Sequence, residues 1–108
     1  MSWWISLNDS EGEPLPVDKF TEGGTYALGG SDKADLNVTY NYGKHFDFEQ
    51  LNGKTGKATQ KLLDEAVEKL GTIRDHDYWN PTEGNVGRAC SILAKWAHQY
   101  PKGVWRVN

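Results

Sequence analysis

Two hydrophobic periods divide the chain. Over 35–42 the apolar residues Leu36, Val38, Tyr40 and Tyr42 recur at every second position, which predicts a strand with these four side chains facing a core. Asn37, Thr39 and Asn41 take the opposite face. They form a row of small neutral hydrogen-bonding groups, unlike the long charged groups of an ordinary solvated face. From about residue 56 the period lengthens. Leu62, Leu63, Ala66, Val67 and Leu70 make a helical stripe that stops at Gly71, while Lys57, Lys61, Asp64, Glu65, Glu68 and Lys69 cover the other side. A second helix is expected over about 83–100, with Thr82 as its N-cap and Val86, Ala89, Cys90, Leu93, Ala97 and Tyr100 on one face. Pro101 and Gly103 end it.

The remaining segments are shorter. Residues 2–7 have β character and run into a turn at 8–12. Pro14 and Pro16 keep the chain extended and away from a sheet centre. A short strand is expected at 25–28, followed by a turn at 29–32. Residues 43–55 lack a clear period, although Phe46, Phe48 and Leu51 can pack and Asn52-Gly53 marks a turn. Residues 72–82 read as a polar loop. The tail at 104–107 has strand propensity and suits a sheet edge. Strands come first and helices later, which predicts an α+β fold: a small, mainly antiparallel sheet of three to four strands with two helices packed on one face, in a single domain over 1–108.

Composition narrows the function classes. Fifteen acidic residues against twelve Lys and Arg give a net charge of −3, so the basic footprint of a sequence-independent DNA binder is missing and direct nucleic-acid binding is not expected. An acidic balance still permits a basic protein partner. Cys90 is the single cysteine, which rules out a disulfide within these 108 residues and a zinc site built on several thiolates. On the apolar face of a helix its thiol is expected to be inert. No signal peptide and no membrane span are visible, and a cytoplasmic location is the expectation.

Several residue groups invite chemistry. Asn52-Gly53-Lys54-Thr55-Gly56-Lys57 resembles a phosphate-binding loop only in part. Phe48 stands where such a loop needs its first glycine, so a turn entering a helix N-terminus, open to an anion, is the better reading. Asp75, His76 and Asp77 concentrate metal-capable ligands, with His45 and His98 as distant partners. A divalent metal, and with it a metal-dependent hydrolase drawing on Asp35, Asp75 and Asp77, is therefore one candidate chemistry. No cofactor is otherwise expected.

The aromatic and amide residues form the most informative set. Asn37, Thr39, Asn41, Tyr78, Trp79, Asn80, Thr82 and Asn85 supply rings and neutral donors and acceptors. Such groups suit recognition of a planar ligand or partner, and they equally suit a buried network that fastens the loop to the sheet. Trp79 and Trp96 are expected to pack. Trp3 and Trp4 are adjacent on a strand, so one of them faces away from the core and becomes a candidate anchor for a protein interface.

Three stretches carry a resemblance: 22–30 (EGGTYALGG), 35–42 (DLNVTYNY) and 77–82 (DYWNPT) with Gly84 and Asn85, together with the closing 101–106 (PKGVWR). They resemble a family of small bacteriophage and prophage proteins with no assigned activity, over about residues 20 to 106. His45 and His76 stand outside the shared pattern. The resemblance implies an accessory role in the host cytoplasm. The first reading is a non-enzymatic protein that antagonises a host defence component, in the manner of an anti-CRISPR inhibitor, by binding it. The alternatives are a sponge for a small nucleotide immune signal and the metal-dependent hydrolase.

Overall fold

Ile5 and Leu7 alternate with Trp4 and Ser6, and this alternation makes β1 (Ser2–Asn8) the central strand of a three-stranded antiparallel sheet. The computed structural model describes residues 1–20 and 31–108; the strand expected at 25–28 and the 22–30 stretch of the phage resemblance lie outside them. β1 pairs on one side with β4 (Asp35–Thr39), placing Trp3 opposite Val38 and Ile5 opposite Leu36. On the other side it pairs with β5 (Val104–Val107), placing Leu7 opposite Trp105. The tail therefore does complete the sheet edge. β2 (Pro16–Phe20) and β3 (Ser31–Lys33) form a separate two-stranded ribbon. Pro16 opens β2, a position where a missing N–H breaks no central ladder. Ser31 and Asp32, expected in a turn, belong instead to β3.

Register decides the two faces. Trp3, Ile5, Leu7, Leu36, Val38, Trp105 and Val107 share the inner face, which joins the core with Leu63, Val86, Ala89, Cys90 and Leu93. α1 (Gly56–Leu70) and α2 (Glu83–Gln99) supply those helical residues and pack against each other. Both begin on a threonine cap, Thr55 accepting from Ala58 N–H and Thr82 from Asn85 N–H. Gly71 closes α1 with φ at +73°, a conformation that a side chain would strain.

The strand expected over 35–42 is shorter than its hydrophobic period. It ends at Thr39, whose hydroxyl accepts the Asn41 N–H and starts a 3₁₀ turn over Tyr40–Lys44. The turn breaks the two-residue alternation. Tyr42 still reaches the core, but Tyr40 is left exposed against Trp3. A second 3₁₀ turn, Phe48–Leu51, buries Phe48 and Leu51 where no period was visible.

Turn 52–55 covers the outer edge of β5. Gly53 N–H donates to Trp105 C=O, Trp105 N–H to Lys54 C=O, and Val107 N–H to the Asn52 side chain. The Trp105 indole enters the core, and its N–H donates to the buried Thr59 hydroxyl at 2.8 Å. That hydroxyl lies within bonding distance of the Thr55 and Gly56 carbonyls. The glycine-lysine cluster is thus a structural clamp. The first N–H groups of α1 are also occupied, Gly56 donating to Gly103 C=O and Lys57 to Pro101 C=O, so the expected opening for an anion is closed.

Candidate functional site

Between the two helices, loop 72–82 is built around one buried amide. Asn85, in the first turn of α2, is 4% exposed. Its side-chain oxygen accepts the Asp75 N–H at 2.9 Å, and its NH₂ donates to the carbonyls of Asp77 at 3.0 Å and Asn80 at 2.8 Å. Both amide donors are used, so its burial leaves no unpaired N–H. The loop adds its own bonds. Asp77 Oδ1 accepts from Trp79 N–H, Asn80 Nδ2 donates to Asp75 Oδ2, and Thr82 N–H donates to Asn80 C=O. The Asn80 amide holds the Asp75 carboxyl below the usual range, with the adjacent His76 contributing.

Two further bonds tie the loop to the turn after β4. The Tyr42 hydroxyl donates to Tyr78 C=O at 2.5 Å, and His45 Nε2 lies 3.1 Å from Pro81 C=O. A carbonyl only accepts, so His45 carries a proton on Nε2. The backbone of the loop also approaches α2 closely. A Cβ on Gly84 would lie 1.8 Å from Ile73 C=O, and one on Gly87 the same distance from Gly71 C=O. These glycines admit the loop against the helix.

On this tightly held support the largest apolar side chain points outward. Trp79 is 55% exposed, contrary to the expectation that it packs. The hydrogen-bonding demands of the segment are met by backbone and small polar groups, which hold the backbone of the loop without burying the indole. Trp96 does pack, at 3% exposure. Beside Trp79, the Arg74 guanidinium lies over the Tyr78 ring at 4.3 Å. An open groove of about 450 Å³ runs along Ile73, Arg74, Asp75, Asn80, Glu83 and Gly84.

The other sequence-selected residues fall elsewhere. Asn37 and Trp4 lie opposite each other on the outer face of the sheet. Asn37 Nδ2 donates to Ser2 Oγ and Trp3 C=O, and Thr39 caps the 3₁₀ turn. Asn41 is exposed on that turn. The bonds that tie the tryptophan loop to this side come from Tyr42 and His45 in the turn after β4, and not from the Asn37 and Asn41 amides of the polar row. Of the adjacent tryptophans, Trp4 is the outward one, at 43% exposure. Trp3 packs against Tyr40 and Phe48, and its N–H donates to Glu49.

The metal candidates are dispersed. His45 is bonded to Pro81, His76 lies 3.2 Å from the neighbouring Asp75, and His98 pairs with Asp64 on α1 at 2.8 Å. Among the described residues no group of three or more His, Cys, Asp or Glu side chains is placed to hold a metal ion. Asp35 lies at the far end of β4 from the Tyr42 contact, so Asp35, Asp75 and Asp77 do not converge. Burial pushes the Cys90 thiol up to about 12, which keeps it protonated and unreactive at neutral pH. Among the described residues no helix is long and apolar enough to cross a membrane.

Comparison with protein-family models, with curated proteins and with solved structures returns no match.

Proposed function

We propose that this chain is a non-enzymatic binding protein of phage type that antagonises a host defence component, in the manner of an anti-CRISPR inhibitor, with loop 72–82 as its contact surface and Trp79 as its anchor. One observation carries the reading: an indole more than half exposed stands on a loop whose backbone is held from Tyr42, His45, Asp77 and Asn85. A mobile loop would lose conformational freedom on docking, whereas a held one has already lost it in folding. Tryptophan is enriched among residues that dominate interface energetics. The phage resemblance supplies the biological context.

The test pairs purified protein with purified host defence effectors, RNA-guided nucleases included, and scores phage survival on defended hosts. Trp79→Ala should abolish capture of the effector and protection of the phage while leaving the melting temperature within a degree or two. Protection unaffected by Trp79→Ala, or no protection from the unaltered protein in any defended host, would refute the proposal.

A further inference from the structure

A second surface lies on the outer face of the sheet, away from the Trp79 loop. Side chains at Ser2, Trp4, Ser6 and Asn8 share that face of β1, and Val104 and Arg106 share it on β5. Asn8 sits opposite Val104, and Arg106 sits opposite Ser6. The diagonal from Asn8 to Arg106 is therefore about 7–8 Å between backbones. Both line an open cavity of about 390 Å³ between the 8–13 turn and the Asn52-Gly53 turn. That volume is in the range of small-ligand sites.

Asn8 stands out chemically. It is 6% exposed, and its Oδ1 is the buried side-chain polar atom without a hydrogen-bond partner among the described residues. Two neighbouring oxygens are already occupied. Asp9 Oδ1 accepts from Glu11 and Glu13 N–H, and Asn52 Oδ1 accepts from Val107 N–H. Buried amides in folded proteins are nearly always bonded, and an exception calls for a cause. Arg106 is exposed and forms no ion pair among the described residues.

We infer that this cavity binds an adenine nucleotide, with the Asn8 carboxamide on the base edge and the Arg106 guanidinium on the phosphate. An asparagine side chain offers one acceptor beside two donors, matching the amino group and ring nitrogen on one edge of adenine. Its last torsion is soft, so the amide can turn toward a base in the cavity. On that edge, the one carrying adenine N6 and N7, hypoxanthine replaces the amino donor by a carbonyl and opposes two acceptors to Asn8 Oδ1 and Nδ2, which the amide cannot pair together. A guanidinium without a carboxylate partner suits a phosphate at the cavity wall. One nucleotide asks for a single cation, so the site is compatible with an acidic protein that lacks a nucleic-acid footprint. The inference does not depend on the Trp79 loop.

Calorimetry and amide chemical-shift titration with 5′-AMP, adenosine, IMP and inorganic phosphate test it on the full chain. AMP should bind saturably, with shifts at Asn8, Val104 and Arg106, and IMP should bind about tenfold more weakly or worse. Arg106→Gln should weaken AMP about tenfold and leave adenosine unchanged. Asn8→Ala should abolish the AMP-over-IMP preference while keeping or raising the melting temperature, because it removes an unpaired buried group. A purely structural Asn8 would instead lower the melting temperature and leave ligand binding untouched. No saturable shift with AMP at millimolar concentration, equal binding of AMP and IMP, or binding indifferent to Asn8→Ala would each overturn the inference. Trp79→Ala should not change any of these readings, so this site and the loop are tested separately.

Discussion

Two corners of the molecule are built alike and end differently. Where turn 52–55 meets β5, a buried threonine anchors the arrangement and the Trp105 indole lies inside at 1% exposure. Where loop 72–82 meets α2, a buried asparagine anchors the arrangement and the Trp79 indole lies outside at 55% exposure. Both corners meet their polar demands with backbone carbonyls and small side chains. The difference shows that a dense hydrogen-bond network measures how firmly a segment is held, not what it is held for. The placement of the aromatic side chain separates the two uses: a core filler in one corner, a presented surface in the other.

The comparison can be broken most strongly at the backbone contact beneath the loop. Gly87→Ala would drive a methyl group into Gly71 C=O, 1.8 Å from its ideal position, and should cost about 3 kcal/mol by denaturant unfolding. If the cost is below about 1 kcal/mol, the loop yields easily and is not firmly held. Next in size is Asn85→Ala, which leaves the Asp75 N–H and the Asp77 and Asn80 carbonyls without their side-chain partner. It should destabilise by about 2 kcal/mol, and hydrogen exchange at the Asp75 amide should accelerate sharply.

The matching change in the closed corner is Thr59→Val. It keeps the volume but strands the Trp105 indole N–H in the core, at a cost of about 1–2 kcal/mol. Its effect should stay local to β5, so hydrogen exchange in loop 72–82 should not change. Exchange that rises in both regions would mean that the two corners unfold as one unit.

The smallest effect concerns pH. Burial raises the Asp35 carboxyl above its ordinary value of 3.8. The folded state then binds its proton more tightly, so the contribution of Asp35 is fully present below about pH 4 and declines as pH rises through the raised folded-state value. Asp35→Asn should therefore be relatively more stable at neutral pH, with the advantage vanishing below about pH 4. Asp75, held low by Asn80, has the opposite sign: it stabilises above the ordinary carboxylate range and loses that contribution as pH falls through its folded-state value. Thermal melts of both proteins between pH 3 and 7 check the sign.

Much of the scaffold was legible in the chain. The helical stripe from Leu62 to Leu70 and the cap at Thr82 are local, and α1 and α2 follow them closely. The two-residue period located β4 but overran it, because Tyr42 reaches the core from a 3₁₀ turn and mimics the next strand position. Of the candidate site, Asn85 and Trp79 were both selected, but their roles diverged. Asn85 became the clasp, and Trp79 became what the clasp presents. Asn8 gave no signal beyond that of an ordinary turn residue. A residue's lack of a partner is a property of everything around it, and no spacing encodes it.

What the sequence determined by itself was the class of the molecule: α+β, acidic, with two capped amphipathic helices, since periodicity, charge and capping act over a few residues. The tertiary structure alone decided which indoles are covered, which polar groups are satisfied and which carboxylates stay apart. Those outcomes depend on contacts between residues dozens of positions apart, as between Tyr42 and Tyr78 or Thr59 and Trp105. Burial and pairing become defined only when such distant groups share one space.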